Sequence, residues 1–283
     1  MKRPLFDQVT IVGLGLIGGS LGMALKKRRV ARKIYGVDLT AARLHAARSR
    51  GAIDEGSARL SDGLLRTELV IIAVPPTAVP VVVRQIARFT RRPLTVTDVA
   101  STKGEIVRAV QKILPPQISF IGGHPMAGSE RSGIGAANAD LFRESICILT
   151  PTPRTKDRAL SQVNALWRSV GSHVLFLDPT RHDALVAQVS HVPHLAAVGL
   201  TLAVGSGGLK IAARGFADTT RIALSDPALW EEVCTTNRRQ IISALDRFLK
   251  EIERLKTLVA RRKSGLLRRR FEAAQRKRRQ VCR

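Results

Sequence analysis

The feature that most constrains the fold is a glycine-rich hexapeptide, GLGLIG, at residues 13–18. An apolar run ends just before it and helical character begins within it, which is the context that a G-x-G-x-x-G motif requires. Gly13 permits a tight turn, Gly15 lets the backbone approach a pyrophosphate, and Gly18 allows close helix–strand packing. A tight turn without a ligand is the plainer alternative. The residues predicted to hold a dinucleotide here are Gly13, Gly15, Leu16, Ile17 and Gly18.

A carboxylate, Asp38, follows the second predicted strand, about twenty residues beyond the last glycine of the motif. A carboxylate at this point accepts hydrogen bonds from both ribose hydroxyls and repels a 2′-phosphate. This predicts NAD as the cofactor, with NADP less favoured. Arg43 and Thr40 lie close by in sequence and leave dual use open.

The sequence AVPP at residues 73–76 ends another apolar run. Ligands of open α/β sheets bind beyond the carboxyl ends of the strands. Val74 and Pro75 are therefore predicted to line the cofactor, and a rigid strand-end turn is the equally simple alternative.

Strand-like and helical segments alternate through the first two thirds of the chain. This alternation predicts a Rossmann-type, doubly wound parallel sheet in the α/β class, covered by helices on both faces. The predicted strands are residues 9–12, 33–37, 69–74, 94–99, 119–121, 146–150 and 173–177. The predicted helices between them are residues 41–50, 78–89, 104–114 and 156–170.

Helical periodicity dominates after residue 178, where strand signals end. Residues 227–263 are predicted to form one long helix, with Asp226 as its N-cap and Pro227 in its first turn. We therefore expect a nucleotide-binding domain at 1–178 and an all-helical domain with a basic C-terminal tail at 179–283.

The chain carries 47 Lys and Arg against 22 Asp and Glu, a formal charge of +25 at pH 7. Such a charge favours anionic substrates and loose association with nucleic acid or anionic lipid. The last thirty or so residues concentrate basic side chains, so two interpretations stay open: a solvated tail, or a basic amphipathic helix that contacts nucleic acid or membrane.

Three cysteines, Cys147, Cys234 and Cys282, lie far apart in sequence. An odd, scattered set argues against a disulfide framework and against a zinc site. We expect no bound metal and a cytoplasmic location.

Two polar clusters, DVASTKG at 98–104 and GGHPMAGSE at 122–130, fall at predicted strand ends. Both are rich in proton donors and acceptors and would lie beside the dinucleotide. His124 is the candidate general base, although a structural histidine in a Gly/Pro turn is the alternative.

Five segments together resemble the prephenate/arogenate dehydrogenase family, in that family's order and over nearly the whole chain. They are GLGLIGGS at 13–20, DVASTK at 98–103, GHPMAGSE at 123–130, SHVPH at 190–194 and GFADTTRIALSDPALW at 215–230. The resemblance implies NAD-dependent oxidative decarboxylation of prephenate to 4-hydroxyphenylpyruvate, of arogenate to tyrosine, or of both. It also implies a homodimer formed by the helical domain, without a chorismate mutase or an ACT-type domain.

The resemblance implies roles for particular residues. His124 matches the catalytic histidine that accepts the proton of the substrate's ring hydroxyl. Ser101 matches a serine that hydrogen-bonds both that hydroxyl and the histidine.

Other residues match substrate-binding positions of the family. Arg221 matches an arginine that holds a carboxylate, and His194 matches a histidine that lines the pocket. A loop-tying arginine and a core histidine are the respective alternatives. Glu130 and Trp230 match entrance residues, and Lys103 is also predicted to bind substrate. Glu130 could attract the ammonium group of arogenate.

Two other functions compete with this one. A 3-hydroxyacid or 6-phosphogluconate-type dehydrogenase shares the two-domain plan but relies on a lysine in the helical domain, for which Lys210 offers no matching context. A non-enzymatic nucleotide-sensing or nucleic-acid-binding protein would use the basic tail and transfer no hydride.

Overall fold

A computed structural model describes residues 3–128 and 131–281 of the chain. Within these residues one sheet runs in the order β3-β2-β1-β4-β5-β6-β7-β8. Neighbours from β3 to β6 pair in parallel, β6 and β7 pair antiparallel, and β7 and β8 are parallel. The strands are β1 Phe6–Val12, β2 Ala31–Val37, β3 Glu55–Ser57, β4 Leu69–Ile72, β5 Leu94–Asp98, β6 Ile118–Pro125, β7 Ile146–Thr150 and β8 His173–Phe176.

Helices cover both faces of this sheet, which confirms the predicted doubly wound class. One apolar cluster joins the sheet to α1 and α6 through side chains such as Leu21 and Trp167. The other joins it to α4 and α5 through Val83 and Val110, which lie on the apolar stripes of those helices. The helices are α1 Leu16–Lys27, α2 Ala41–Ser49, α3 Leu60–Leu64, α4 Val79–Phe89, α5 Gly104–Ile113 and α6 Asp157–Ser169.

Strand β6 is longer than predicted, and this changes the place of His124. The apolar pattern predicts that this strand ends at residue 121 and that His124 lies in a turn. The strand continues to Pro125 because β7 pairs with its last residues, so that His124 lies opposite Ile148. His124 is therefore held by strand pairing. The short edge strand β3 was not predicted, since its sequence EGS lacks apolar residues.

Strands give way to helices after β8. Asp178 caps the first helix by accepting hydrogen bonds from the backbone N–H groups of Thr180 and Arg181, at 3.0 and 2.9 Å. A π-helical turn, Ala187–His191, separates the first two helices. The helices are α7 Pro179–Val186, α8 Val192–Ala203, α9 Ser206–Lys210, α10 Arg214–Thr220, α11 Pro227–Thr236, α12 Arg238–Ala260 and α13 Ser264–Arg279.

The prediction of one helix over residues 227–263 is wrong, although Asp226 is its N-cap as expected. The segment is divided at Asn237, whose backbone leaves helical geometry with φ −117° and ψ 24°. The side chain of Asn237 is buried and donates to the carbonyl oxygen of Asp183 at 2.9 Å. The same carbonyl oxygen also accepts from the backbone N–H of Ala187, so the Asn237 amide is a second donor that links the break to α7.

Two surfaces of the helical part stay open in the single chain. The stretch Pro179–Ala203 is long and apolar enough, by length and composition alone, to span a membrane, and only 28% of its most apolar window is buried. Helix α13 has none of its residues buried, and Arg270 lies 3.7 Å from Glu251 of α12.

Candidate active site

The glycine-rich turn joins β1 to α1 at the carboxyl edge of the sheet. Gly13 adopts φ +92°, and a Cβ there would collide with the carbonyl oxygen of Ala73. A Cβ at Gly18 would collide with the carbonyl oxygen of Gly13, so the helix packs directly on the turn. A Cβ at Gly15 would meet no heavy atom of the described residues within 4 Å. The open side of the turn therefore lies at Gly15, where a pyrophosphate can approach the helix N-terminus.

Asp38 lies at the end of β2 beside this turn. Its carboxylate accepts hydrogen bonds from the backbone N–H groups of Leu14 and Thr40, at 3.0 and 3.2 Å. The guanidinium of Arg43 is 3.7 Å away and more than half exposed. Asp38 thus holds the turn in place and presents negative charge where a ribose would lie, with one cation next to it.

The segment after β4 forms a second wall of this edge. Val74 is half-buried and Pro75 is exposed, and a 3₁₀ turn, Pro76–Ala78, follows them. The backbone N–H and hydroxyl of Thr77 donate to the carboxylate of Glu232 on α11, at 3.0 and 2.7 Å. This contact joins the helical part of the chain to the mouth of the nucleotide site.

A buried ion pair joins the end of β5 to the start of α5. The ammonium of Lys103 pairs with the carboxylate of Asp98, and both side chains are completely buried. Asp98 also accepts from the backbone N–H groups of Ala100 and Gly123, at 3.0 and 3.2 Å. Burial lowers the pKa of Lys103, and the Asp98 carboxylate opposes that shift.

This geometry differs from the prediction that Lys103 binds substrate. A side chain with no exposed surface, already paired with a buried carboxylate, has no face left for a ligand in this conformation. The physical reason is the cost of burying a lone carboxylate, which makes the lysine the necessary partner of Asp98.

His124 is buried at the end of β6 and forms a chain of polar contacts. Its Nδ1 lies 2.9 Å from Nε2 of His182, and Nδ1 of His182 lies 2.8 Å from Oδ1 of Asp183. Burial lowers the pKa of His124 well below its usual value, and the neighbouring His182 and Lys103 add to that effect. His124 is therefore neutral at physiological pH, which is the form a general base requires.

A second histidine cluster lies where α8 meets α11. The ring of His194 stacks on Trp230, with 3.7 Å between ring centroids. Its Nδ1 donates to the carbonyl oxygen of Ser190 at 2.9 Å, which leaves Nε2 as an acceptor. Burial lowers the pKa of His194, a lowering that the Ser190 bond opposes and the charge of Arg221 reinforces. A cation, an aromatic face and an imidazole acceptor are thus near one another, as a carboxylate-bearing ring would need.

Family models match almost the whole chain. The prephenate dehydrogenase nucleotide-binding domain matches residues 21–176, and the prephenate dehydrogenase dimerization domain matches residues 178–273. The chain belongs to the prephenate dehydrogenase family.

Individual members of the prephenate dehydrogenase family agree with this placement. A prephenate dehydrogenase of Bacillus subtilis is 35% identical over 275 residues, covering 95% of this chain and 74% of that protein. The crystal structure of A. aeolicus prephenate dehydrogenase with hydroxyphenyl propionate and NAD+ superposes with a TM-score of 0.90 at 32% identity, covering 97% and 98% of the two chains. Synechocystis arogenate dehydrogenase gives a TM-score of 0.82 at 28% identity, covering 97% and 99%.

Three more residues were expected from the prephenate dehydrogenase resemblance, and the structure describes two of them, Ser101 and Arg221. Ser101 is half-buried in the β5–α5 loop and, within the described residues, makes no hydrogen bond with His124. Since His182 occupies Nδ1 of His124, a bond from Ser101 would have to reach Nε2. Arg221 is exposed in the 3₁₀ turn Arg221–Leu224. Glu130 lies outside the described residues.

Three polar residues that the structure joins to the site were not predicted from the sequence. His182 and Asp183 lie on α7, far along the chain from His124, and Asn237 divides α11 from α12. Nδ2 of Asn237 also lies 3.2 Å from Nδ1 of His191, which points to donation by the amide. The adjacent His-Asp pair just before the apolar residues Ala184, Leu185 and Val186 was a signal that could have been used, because buried charged side chains need partners.

Proposed function

We propose that the protein catalyses NAD-dependent oxidative decarboxylation of prephenate, of arogenate, or of both. The observation that carries this proposal is a neutral, buried imidazole, His124, at the same sheet edge as the open glycine-rich turn. Membership of the prephenate dehydrogenase family supports the choice of reaction.

The residues around the glycine-rich turn fit a dinucleotide. The open face at Gly15 would admit the pyrophosphate, and Asp38 would accept hydrogen bonds from the ribose, beside Leu16, Ile17, Val74 and Pro75. NAD+, when bound, accepts a hydride. The buried carboxylate at Asp38 favours NAD over NADP, because a 2′-phosphate would lie against a negative charge. If NADP bound, the positive charge of Arg43 would partly offset the repulsion between Asp38 and the 2′-phosphate.

His124 would take the proton of the ring hydroxyl as hydride leaves the carbon that bears it. Carbon dioxide is then lost and the ring becomes aromatic, which supplies the driving force. Because that driving force belongs to the substrate, the protein needs mainly a positioned base, an oriented cofactor and partners for the carboxylates.

Substrate carboxylates would bind at the second histidine cluster. Arg221 supplies a permanent positive charge, and its planar guanidinium suits a carboxylate. His194 and Trp230, which stack on each other, would line the pocket around the substrate ring. Ser101 would meet the hydroxyl, and Glu130 remains the residue expected to attract the ammonium of arogenate.

The helical part would form a homodimer. Apolar side chains of α8, including Val198, Leu200 and Leu202, are exposed in the single chain, and the matching family model is a dimerization domain. A second copy would cover them. Cytoplasmic location remains our proposal, supported by the free thiols of Cys147 and Cys234.

Turnover tests the proposal. Formation of reduced nicotinamide would be followed with prephenate and with arogenate, each with NAD+ and NADP+. We expect NAD-dependent turnover with at least one substrate, and His124→Asn to lower kcat by about 100-fold or more. His173→Asn, at an exposed histidine on β8, is the matched control and should change nothing. Absence of turnover with either substrate, from protein that binds NAD+, would refute the reaction.

A further inference from the structure

A row of three buried polar side chains runs from the helical part into the sheet edge. Oδ1 of Asp183 lies 2.8 Å from Nδ1 of His182, whose Nε2 lies 2.9 Å from Nδ1 of His124. His182 is completely buried, and Asp183 and His124 are 4% and 7% exposed. Solvent therefore does not compete for these contacts, and each proton in the row must be placed by the neighbouring groups.

Proton placement begins at Asp183. Its Oδ1 accepts from the backbone N–H of Lys103 and its Oδ2 from that of Gly104, both at 2.8 Å. Two backbone donors on opposite oxygens mark this group as an ionised carboxylate, which can only accept. The contact with Nδ1 of His182 is then a hydrogen bond that His182 donates.

The remaining protons follow from this first bond. Burial lowers the pKa of His182, although Asp183 opposes the shift, so the ring is neutral and carries one proton. With that proton on Nδ1, Nε2 of His182 has a lone pair and can only accept. Nδ1 of His124 must then carry the proton that bridges the two rings. Because neutral His124 has only one ring proton, its Nε2 is left with a lone pair.

We propose that His182 and Asp183 are positioning residues that fix His124 as the Nδ1–H tautomer and direct its basic Nε2 toward the reacting hydroxyl. The proposal rests on the proposed function for the identity of the reaction, but the tautomer itself does not depend on it. The substrate's proton moves to Nε2 of His124, while the proton on Nδ1 stays between the two rings. The resulting imidazolium donates to His182, which is held in turn by the carboxylate of Asp183.

The row also couples the base to the contact between the two parts of the chain. Asp183 lies on α7, yet both of its oxygens bind the start of α5 in the nucleotide-binding part. Its backbone carbonyl accepts from Asn237, at the break between α11 and α12, at 2.9 Å. The rings of His124 and His182 meet edge to face, with 64° between their planes. A shift of α7 would therefore rotate the His124 ring and change the direction of its Nε2 lone pair.

The test combines tautomer spectroscopy with kinetics on the full-length protein. The chain has only six histidines, so ¹⁵N-histidine labelling with long-range ¹H–¹⁵N spectra can resolve each ring. We expect wild-type His124 to show a protonated Nδ1 and a bare Nε2. His182→Phe keeps an aromatic ring but removes the acceptor, so His124 should lose this fixed tautomer. His173→Phe, at an exposed histidine, is the matched control and should leave the His124 signals unchanged.

Kinetics then separate positioning from folding. In His182→Phe we expect kcat to fall about 100-fold, while KM for the substrate changes by no more than about threefold. His182→Gln can accept from His124 through Oε1 and donate to Asp183 through its amide, so it should recover most of kcat. If His182→Phe fails to fold, His182→Gln and the wild-type spectra still decide the matter.

Two results would overturn the proposal. One is a wild-type His124 whose proton lies on Nε2, and the other is a folded His182→Phe variant with wild-type kcat. Failure of the proposed function would look different, since wild-type protein would then turn over neither substrate while its histidine spectra still reported the tautomer.

Discussion

Gly15 and Gly18 of the nucleotide turn have opposite surroundings, although both are simply glycines in the G-x-G-x-x-G motif. Gly18 faces the carbonyl oxygen of Gly13, whereas Gly15 faces open space within the described residues. The first is therefore required by packing and the second by what approaches from outside. This difference allows ligand binding to be separated from stability.

We predict that Gly18→Ala destabilises the protein by about 1–3 kcal/mol, because overpacking forces the backbone to shift. Gly15→Ala should leave the free energy of unfolding within about 0.5 kcal/mol of wild type, since its methyl group would meet no heavy atom of residues 3–128 and 131–281 within 4 Å. It should nevertheless weaken NAD+ binding. Urea unfolding and a fluorescence titration with NAD+ measure the two effects. Equal destabilisation by both substitutions would contradict the geometry.

The sequence predicted residues whose partners lie close to them along the chain, but not residues whose partners are far away in sequence. The spacing of Gly13, Gly18 and Asp38 is enough to recognise the turn, because all three lie in one strand–helix–strand unit. His182 was missed because its partner, His124, is 58 positions away. Lys103 was predicted to bind substrate because the sequence does not show that its ammonium forms an ion pair with Asp98.

At the scale of elements, hydrophobic periodicity predicted neither how far β6 extends nor where the helix over residues 227–263 is divided. Ile146–Thr150 was predicted with its observed bounds, yet its antiparallel pairing was not, and that pairing extends β6 through His124. The apolar period of residues 227–263 runs through Asn237 without a signal. At this break the Asn237 amide contacts both α7 and the π-helical turn. It donates to the carbonyl oxygen of Asp183 and lies 3.2 Å from Nδ1 of His191.

This junction of helices predicts a pH dependence of stability. Burial lowers the pKa of His191 to about 4, against 6.5 in the unfolded chain. The unfolded state therefore binds the proton first as pH falls. The stabilisation is fully present above pH 6.5 and is lost between 6.5 and about 4, amounting to about 3 kcal/mol.

Urea unfolding at a series of pH values measures this loss. His191→Phe should flatten the dependence over that window, whereas His45→Phe, at an exposed position on α2, should leave it as in wild type. Identical slopes in wild type and His191→Phe would show that His191 is not responsible. His124 and His182, whose pKa values are also lowered, act in the same direction and set the dependence that remains.

At the scale of the whole molecule, α8 exposes a series of apolar side chains in the single chain. Leu202, near the end of α8, is 81% exposed, and Val198 and Leu200 of the same helix are 40% and 42% exposed. A monomer would leave this surface in water, which soluble proteins rarely do with a contiguous patch. The basic helix α13 packs against α12.

We predict that the wild-type chain sediments as a dimer and that Leu202→Glu shifts it toward monomer. Sedimentation velocity at several protein concentrations is the measurement. Leu65→Glu, which changes a leucine of the nucleotide-binding part that is 73% exposed, is the control and should stay dimeric. A monomeric wild type would leave α8 without the partner that we propose.

The most direct test of the central claim is the balance of products formed in a single turnover experiment. Prephenate labelled with ¹³C at its ring carboxylate would be incubated with enzyme and NAD+, and reduced nicotinamide, labelled carbon dioxide and the aromatic product would be quantified together. Oxidative decarboxylation predicts equimolar amounts of all three, each lost together in His124→Asn. Reduced nicotinamide formed with the label still on the organic product would contradict the account.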